Sequence, residues 1–219
     1  MSDPCSVLVL ISGRGSNLRS LIDRSRDPGS AYRVAAVLSD RADAGGLAIA
    51  AQAGIETEVL ESRPGTDRDA YGRALAATIT RRAPDLIALA GFMRILSAGF
   101  VAAHAGRILN IHPSLLPKYP GLHTHRRALA AGDAEHGATV HFVTAALDAG
   151  PAVIQARLAV LAGEAEERLA ARVLALEHRI YPLAVRWYGE GRLACRDGRA
   201  WLDDQPLAEP LRLECLEAA

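Results

Sequence analysis

A chain of 219 residues, 50% apolar and 23% charged, is long enough to bury one substantial core without metal or disulfide staples. Its formal net charge is zero, and its basic residues, arginine everywhere except Lys118, are scattered among acids, which argues against a nucleic-acid or membrane partner. Cys5, Cys195 and Cys215 are odd in number, far apart and without CxxC spacing, so neither a disulfide framework nor a thiolate metal site is indicated and a reducing compartment fits.

The apolar run Val7 to Ile11 is too short for the core of a signal peptide and no small-residue cleavage pattern follows it, so a cytoplasmic protein is expected. Ser6 to Ile11 predicts a strand, followed by a Gly-rich turn and a helix over Ser16 to Arg26. Tyr32 to Leu38 predicts a second strand, Ala44 to Ala53 a small-residue helix stopped by Gly54, Ile55 to Leu60 a third strand, and Asp67 to Arg82 a helix ended before Pro84. Asp85 to Ala90 is a fourth strand, Ser97 to Ala105 a helix, and Arg107 to Ile111 a fifth strand. Continuous apolar strands separated by helices imply an α/β fold with a doubly wound, mostly parallel sheet covered on both faces. Beyond residue 136 the pattern changes. Ala138 to Val143 and Val153 to Val160 predict a β-ribbon, Glu164 to Trp187 a long helix, and Arg192 to Leu202 a hairpin around Asp197-Gly198. The loop from His112 to His125 is the one long irregular stretch in the centre, and its prolines at 113, 117 and 120 stiffen it.

Ser12-Gly13-Arg14-Gly15-Ser16-Asn17 joins the first strand to the first helix, where backbone N–H groups and the helix dipole favour an anion. It lacks the Gly-Lys-Ser/Thr of a P-loop and the third glycine of a dinucleotide fingerprint, so a monophosphate is the expected ligand; the alternative is a plain strand-to-helix turn with an N-cap. Asn110 and His112 alternate along the end of a strand, which puts both side chains on one side at the sheet edge where ligands bind in open α/β folds. An imidazole there can act as acid or base, and a carboxamide can donate to an oxyanion, a combination suited to acyl transfer. Asp148 lies in a turn-like Asp-Ala-Gly-Pro segment, where it either makes an Asx-turn or faces His112 and favours its imidazolium form. Five of the seven histidines, at 112, 123, 125, 136 and 141, fall close together, and His123 with His125 is the most ligand-like pair. The absence of cysteines and of HExxH spacing there leads us to expect no metal.

The runs Gly91-Phe92-Met93-Arg94-Ile95-Leu96 and Asn110-Ile111-His112-Pro113-Ser114-Leu115-Leu116-Pro117-Lys118-Tyr119-Pro120-Gly121, continued by Leu122 to His125, His141 to Val143 and Leu147-Asp148, closely resemble the glycinamide ribonucleotide formyltransferase family. Together with the Ser-Gly-Arg-Gly-Ser-Asn segment the resemblance covers nearly the whole chain apart from the C-terminal tail. It implies a Rossmann-like formyltransferase domain over 1–219, with a phosphate-binding half (1–111) and a catalytic and folate-site half (112–219). It further implies formyl transfer from 10-formyltetrahydrofolate, a co-substrate, to the amine of a ribonucleotide, with small-molecule substrates only and a monomer or homodimer as the assembly. By that resemblance Asn110, His112 and Asp148 are the catalytic trio, and Gly15, Ser16, Asn17 and Glu177 hold the ribonucleotide. Arg68, Met93, Arg94, Ile95, Leu96 and Asn110 lie at the folate. The chain departs from the pattern at Leu174, where relatives often carry a polar residue, and at Ala149, where a second glycine is common.

Three other readings make different demands. A formyltetrahydrofolate hydrolase usually has an extra N-terminal domain and a methionyl-tRNA formyltransferase a C-terminal one, for which this length leaves no room. A non-catalytic folate or phosphate sensor would not need the Asn, His and Asp set, and a metal-dependent hydrolase would need bound metal.

Overall fold

Val7, Val9 and Ile11 of strand β1 (Cys5–Ile11) face one helical layer while Leu8 and Leu10 face the other, and none of the five is more than 1% exposed. A strand buried on both faces has no polar side, and its sequence therefore reads as an unbroken apolar run. The computed structural model describes residues 3–61 and 65–214; Cys215 lies outside them.

After β1 come α1 (Ser16–Ser25), β2 (Tyr32–Ser39), α2 (Gly45–Gln52), β3 (Glu56–Val59), α3 (Arg68–Arg82), β4 (Leu86–Leu89), α4 (Ala98–Ala103) and β5 (Ile108–His112). The second half holds α5 (Thr124–Ala130), β6 (Glu135–Phe142), β7 (Ala152–Ala159), α6 (Glu166–Gly189), β8 (Leu193–Arg196), β9 (Arg199–Leu202), β10 (Gln205–Pro206) and β11 (Leu211–Arg212). The main sheet runs β11-β7-β6-β5-β4-β1-β2-β3, with β1 to β5 mutually parallel and β6 antiparallel to both its neighbours. Helices α1, α2 and α6 cover one face, through Leu18, Leu21, Ala50, Val173, Tyr181 and Val185; α3 and α4 cover the other, through Leu75, Ile79 and Phe100. The strand order reverses between β1 and β4, and the crevice at their carboxyl ends is where such a sheet binds ligands.

The doubly wound sheet expected from the sequence is therefore present, and the two late strands do pair antiparallel, as members of the main sheet rather than as a separate ribbon. The hairpin around Asp197-Gly198 is β8 and β9, which β10 extends to a three-stranded sheet. Three features differ from the reading. The third strand is a short edge strand with Glu56 and Thr57 exposed, because only one neighbour pairs with it. The segment after His123, read as the end of an irregular loop, opens helix α5. Strand β11 was not foreseen, since two residues carry no periodicity. Cys5 and Cys195 are free thiols. Among the described residues no helix is long and apolar enough to cross a membrane.

Tyr181 ties α6 to the binding edge of the sheet. Its fully buried hydroxyl lies 2.9 Å from the Leu89 carbonyl of β4 and 3.1 Å from the Leu109 carbonyl of β5. This fixes the helix that carries Glu177 against the strand ends that carry the remaining polar groups.

Candidate active site

At the end of β1 the chain turns through Gly15, which caps α1 with a φ of 80°. A side chain at that position would be strained, and its Cβ would come 2.5 Å from the Gly46 Cα at the start of α2, so glycine is required twice over. The sequence left open whether this turn is simply capped. No side chain caps α1 and its first turn carries no acid, so the opening N–H groups and the positive end of the helix dipole remain for an anion. Asn17, 8% exposed, donates its amide Nδ2 to Glu177 Oε2 at 2.6 Å, while its Oδ1 has no hydrogen-bond partner among the described residues. Burial pushes the Glu177 carboxyl up to about 7, and the Asn17 donor pulls back against that rise.

Ser12 couples this turn to the segment after β4: its N–H donates to the Gly91 carbonyl at 3.1 Å and its Oγ accepts from the Met93 N–H at 2.8 Å. The 91–96 segment, the end of β5, the 121–125 segment and the turn between β6 and β7 surround a cavity of about 570 Å³, a size typical of small-ligand sites. Asn17, Met93, Arg94, Ile95, Leu96, Asn110, His112, Asp148 and Glu177 all line it. Gly15 and Ser16 stand beside Asn17 at the head of α1, just outside the lining. Arg68 does not join them. It opens α3 and is exposed, outside the lining, on the helix whose Tyr71 ring lies 4.5 Å from the guanidinium of Arg94, a residue that does line the cavity.

At the floor, His112 and Asp148 are nearly buried, with side chains 7% and 10% exposed, and Nδ1 lies 3.5 Å from Oδ2. Asp148 adopts a left-handed φ of 49°, which turns its carboxylate inward, where Oδ2 also accepts the Gly121 N–H at 2.8 Å. The other ring nitrogen, Nε2, donates to the Tyr119 carbonyl at 2.9 Å. Both nitrogens of His112 thus face acceptors, and only the imidazolium offers a donor to each.

Asn110 is oriented from the next strand. In the antiparallel register it sits opposite His141, whose Nδ1 donates to the Phe142 carbonyl at 2.9 Å. Burial, the largest effect on that ring, holds it toward the neutral form, so its Nε2 is an acceptor for the Asn110 Nδ2 at 3.1 Å. This contact sets which end of the carboxamide is the amide nitrogen and leaves one N–H for the cavity. The sequence reading gave His141 no role; its place opposite Asn110 depends on a strand register that local pattern does not reveal.

His123 and His125, the ligand-like pair, do not converge. His125 Nδ1 meets His136 Nε2 at 3.1 Å, whereas His123 lies against Arg126 at 3.3 Å. Burial and the neighbouring His125 lower His136 to about 4. Among the described residues no group of three or more His, Cys, Asp or Glu side chains could hold a metal ion.

A family model described as formyl transferase matches residues 5–185. The phosphoribosylglycinamide formyltransferase of Escherichia coli (strain K12) is 54% identical over 202 residues, covering 92% of this chain and 95% of its own. The Haemophilus influenzae protein of the same name is 44% identical over 201 residues, with the same coverage. The solved structure of a phosphoribosylglycinamide formyltransferase from Coxiella burnetii matches with a TM-score of 0.90 at 47% identity, over 96% of this chain and 99% of that one.

Proposed function

The chain belongs to the formyl transferase family, and from that premise we propose that it moves the formyl group of 10-formyltetrahydrofolate onto the amine of 5-phosphoribosylglycinamide. The products are formylglycinamide ribonucleotide and tetrahydrofolate, a step of de novo purine synthesis in the cytoplasm. The relatives named above support the reaction. The observation that carries it is the meeting, at one cavity floor, of a carboxamide N–H and an imidazole flanked by two acceptors.

The neutral amine attacks the formyl carbon and the carbonyl oxygen becomes an oxyanion. Nε2 of His112 is committed to the Tyr119 carbonyl, so the Nδ1 edge serves the oxyanion; its N–H, 3.5 Å from the Asp148 oxygen, is shared between that carboxylate and the arriving oxygen while the ring stays in place. Asn110 supplies the second donor. Preorganised donors of this kind contribute about 2.7 to 4 kcal/mol each to the barrier. Collapse of the tetrahedral species breaks the bond from carbon to N10 of the folate, and the proton lost by the amine is transferred to N10. No covalent intermediate with the enzyme is required, and no metal. The donor's rings lie against Met93, Ile95 and the turn that ends at Asp148, and the acceptor's phosphate lies at the head of α1 beside Gly15, Ser16 and Asn17, with Glu177 facing the same ligand.

A spectroscopic formyl-transfer assay with glycinamide ribonucleotide, its dephosphorylated form and water as acceptors tests this reading. Efficient transfer to the phosphorylated amine, and little to the other two, is expected. Equal turnover with water would identify a hydrolase, and chelator-sensitive activity with bound metal would identify a metal-dependent enzyme.

A further inference from the structure

Residues 118–121 contribute two backbone groups to the catalytic pair, the Tyr119 carbonyl that accepts from His112 Nε2 at 2.9 Å and the Gly121 N–H that donates to Asp148 Oδ2 at 2.8 Å. The spacing of imidazole and carboxylate therefore depends on where this short loop sits. Its backbone is not at rest on its own terms, since Tyr119 has a left-handed φ of 57°, rare for an aromatic residue.

Asp133, between α5 and β6 and outside the cavity lining, holds the loop with both carboxylate oxygens. Oδ1 accepts from Lys118 Nζ at 2.9 Å and Oδ2 accepts from the Tyr119 hydroxyl at 2.8 Å. Asp133 is itself fixed to α5, its N–H donating to the Ala128 carbonyl at 3.2 Å. Ser114 Oγ donates to the Lys118 carbonyl at 2.6 Å, and Arg127 donates to the Pro120 carbonyl at 2.6 Å with its guanidinium 5.1 Å from the Tyr119 ring. Ser114, Arg127 and Asp133 all lie outside the cavity lining, so these three hold the loop from outside the cavity that His112 and Asp148 line. The Lys118 ammonium and then the Tyr119 hydroxyl hold the Asp133 carboxyl below the usual range, so the anchor stays ionised wherever the enzyme would operate.

We propose that Asp133 is a positioning residue for formyl transfer: by gripping Lys118 and Tyr119 it sets the carbonyl and N–H that align His112 with Asp148, although it touches neither substrate nor catalytic group. The inference rests on the function proposed above. The titratable groups around His112 are Asp148 and His141 on one side and His125 and His136 on the other, and none of them contacts Asp133 by a hydrogen bond or ion pair. The Asp133 carboxylate does act through space on His136, which in turn acts on His112, and Tyr119→Phe, which keeps that charge, isolates the effect of the loop.

Asp133→Ala and the milder Tyr119→Phe, which deletes one hydroxyl and serves if the first variant folds poorly, are compared with the wild-type protein. The expected result is a kcat lower by about tenfold to a hundredfold, as for a small misplacement of reacting groups, with KM for both substrates within about twofold and the pH profile of kcat displaced. Asp133→Asn, which can still engage the Tyr119 hydroxyl, recovers part of the loss. In parallel, the ring nitrogens of His112 are titrated by NMR in histidine-labelled protein, with the signal assigned from a His112→Gln spectrum. That readout does not require turnover, so an inactive wild-type protein would remove the functional reading while leaving the positioning claim testable. Unchanged kcat and pH profile in Asp133→Ala, with an unmoved His112 titration, would overturn the proposal whatever happens to melting temperature.

Discussion

Replacing Glu177 by glutamine should make the protein more stable and a poorer enzyme, and the size of the first effect follows from the carboxyl's surroundings. Glu177 sits on the inner side of α6, 7% exposed, and burial raises it from 4.5 to about 7. The folded state holds that proton more tightly than the unfolded chain does, so stability falls as pH rises from about 4.5 to about 7; below that window the site costs nothing and above it the full cost is present. Two and a half units at about 1.36 kcal/mol each give about 3 kcal/mol. Glutamine cannot ionise, yet its carbonyl can still accept from the Asn17 amide that now reaches Oε2 at 2.6 Å. The variant should match the wild type near pH 4.5 and exceed it by about 3 kcal/mol at pH 8.5, roughly 6 to 12 °C in Tm for a chain of this size. Thermal and urea melts at the two pH values measure the difference. A gap between variant and wild type that is the same at both pH values would show that Glu177 carries no buried charge and that the reasoning is wrong. The loss of activity expected beside this gain is the usual trade between stability and a strained binding group.

Asp148→Asn should leave the melting temperature close to wild type, because the amide oxygen can keep the Gly121 N–H, while kcat falls by about a hundredfold or more as the imidazolium loses its partner; an unchanged kcat removes Asp148 from the mechanism. Gly15→Ala forces an alanine to a φ of 80° and drives its Cβ into Gly46, so KM for the phosphorylated acceptor should rise much more than KM for the folate, which steady-state kinetics with each substrate varied will decide. Tyr181→Phe leaves the Leu89 and Leu109 carbonyls short of a buried donor and should cost about 1 to 3 kcal/mol in urea denaturation, with KM little altered.

Sequence made visible whatever is written in local pattern. β1 could be read because burial on both faces erases alternation, Gly15 because a positive φ beside another backbone admits no other residue, and the shared side of Asn110 and His112 because strands have a period of two. What escaped depends on the tertiary fold. Helix α5 is seven residues long and starts from His123 in a left-handed conformation, straight after a segment dense in Pro and Gly, so neither a normal cap nor a long periodic run announces it. Whether Asp148 would turn toward His112 or away was open, because the answer lies in its positive φ and in the pairing of β5 with β6. Arg68 could be placed on α3, but not relative to the cavity, whose lining it does not join.

The cavity's two kinds of wall suggest how one cleft accepts two unlike ligands. Four of the large apolar residues left in water, Met93, Ile95, Leu122 and Leu147, stand on its loops, and Leu122 is 68% exposed. Leaving side chains of this size wet costs folding free energy that packing elsewhere must offset, and such clusters ordinarily mark a surface that a partner completes. The polar floor is built the other way: Asn17, His112, Asp148, His141 and Glu177 are nearly buried and linked mainly to one another and to backbone. In the proposed reaction the flat aromatic donor covers the apolar rim and excludes water, and only then do the floor's hydrogen bonds reach their full strength, because a low dielectric amplifies them. On this view the exposed rim is the part of the hydrophobic core that the folate supplies, and the catalytic geometry is finished by the ligand whose bond it breaks.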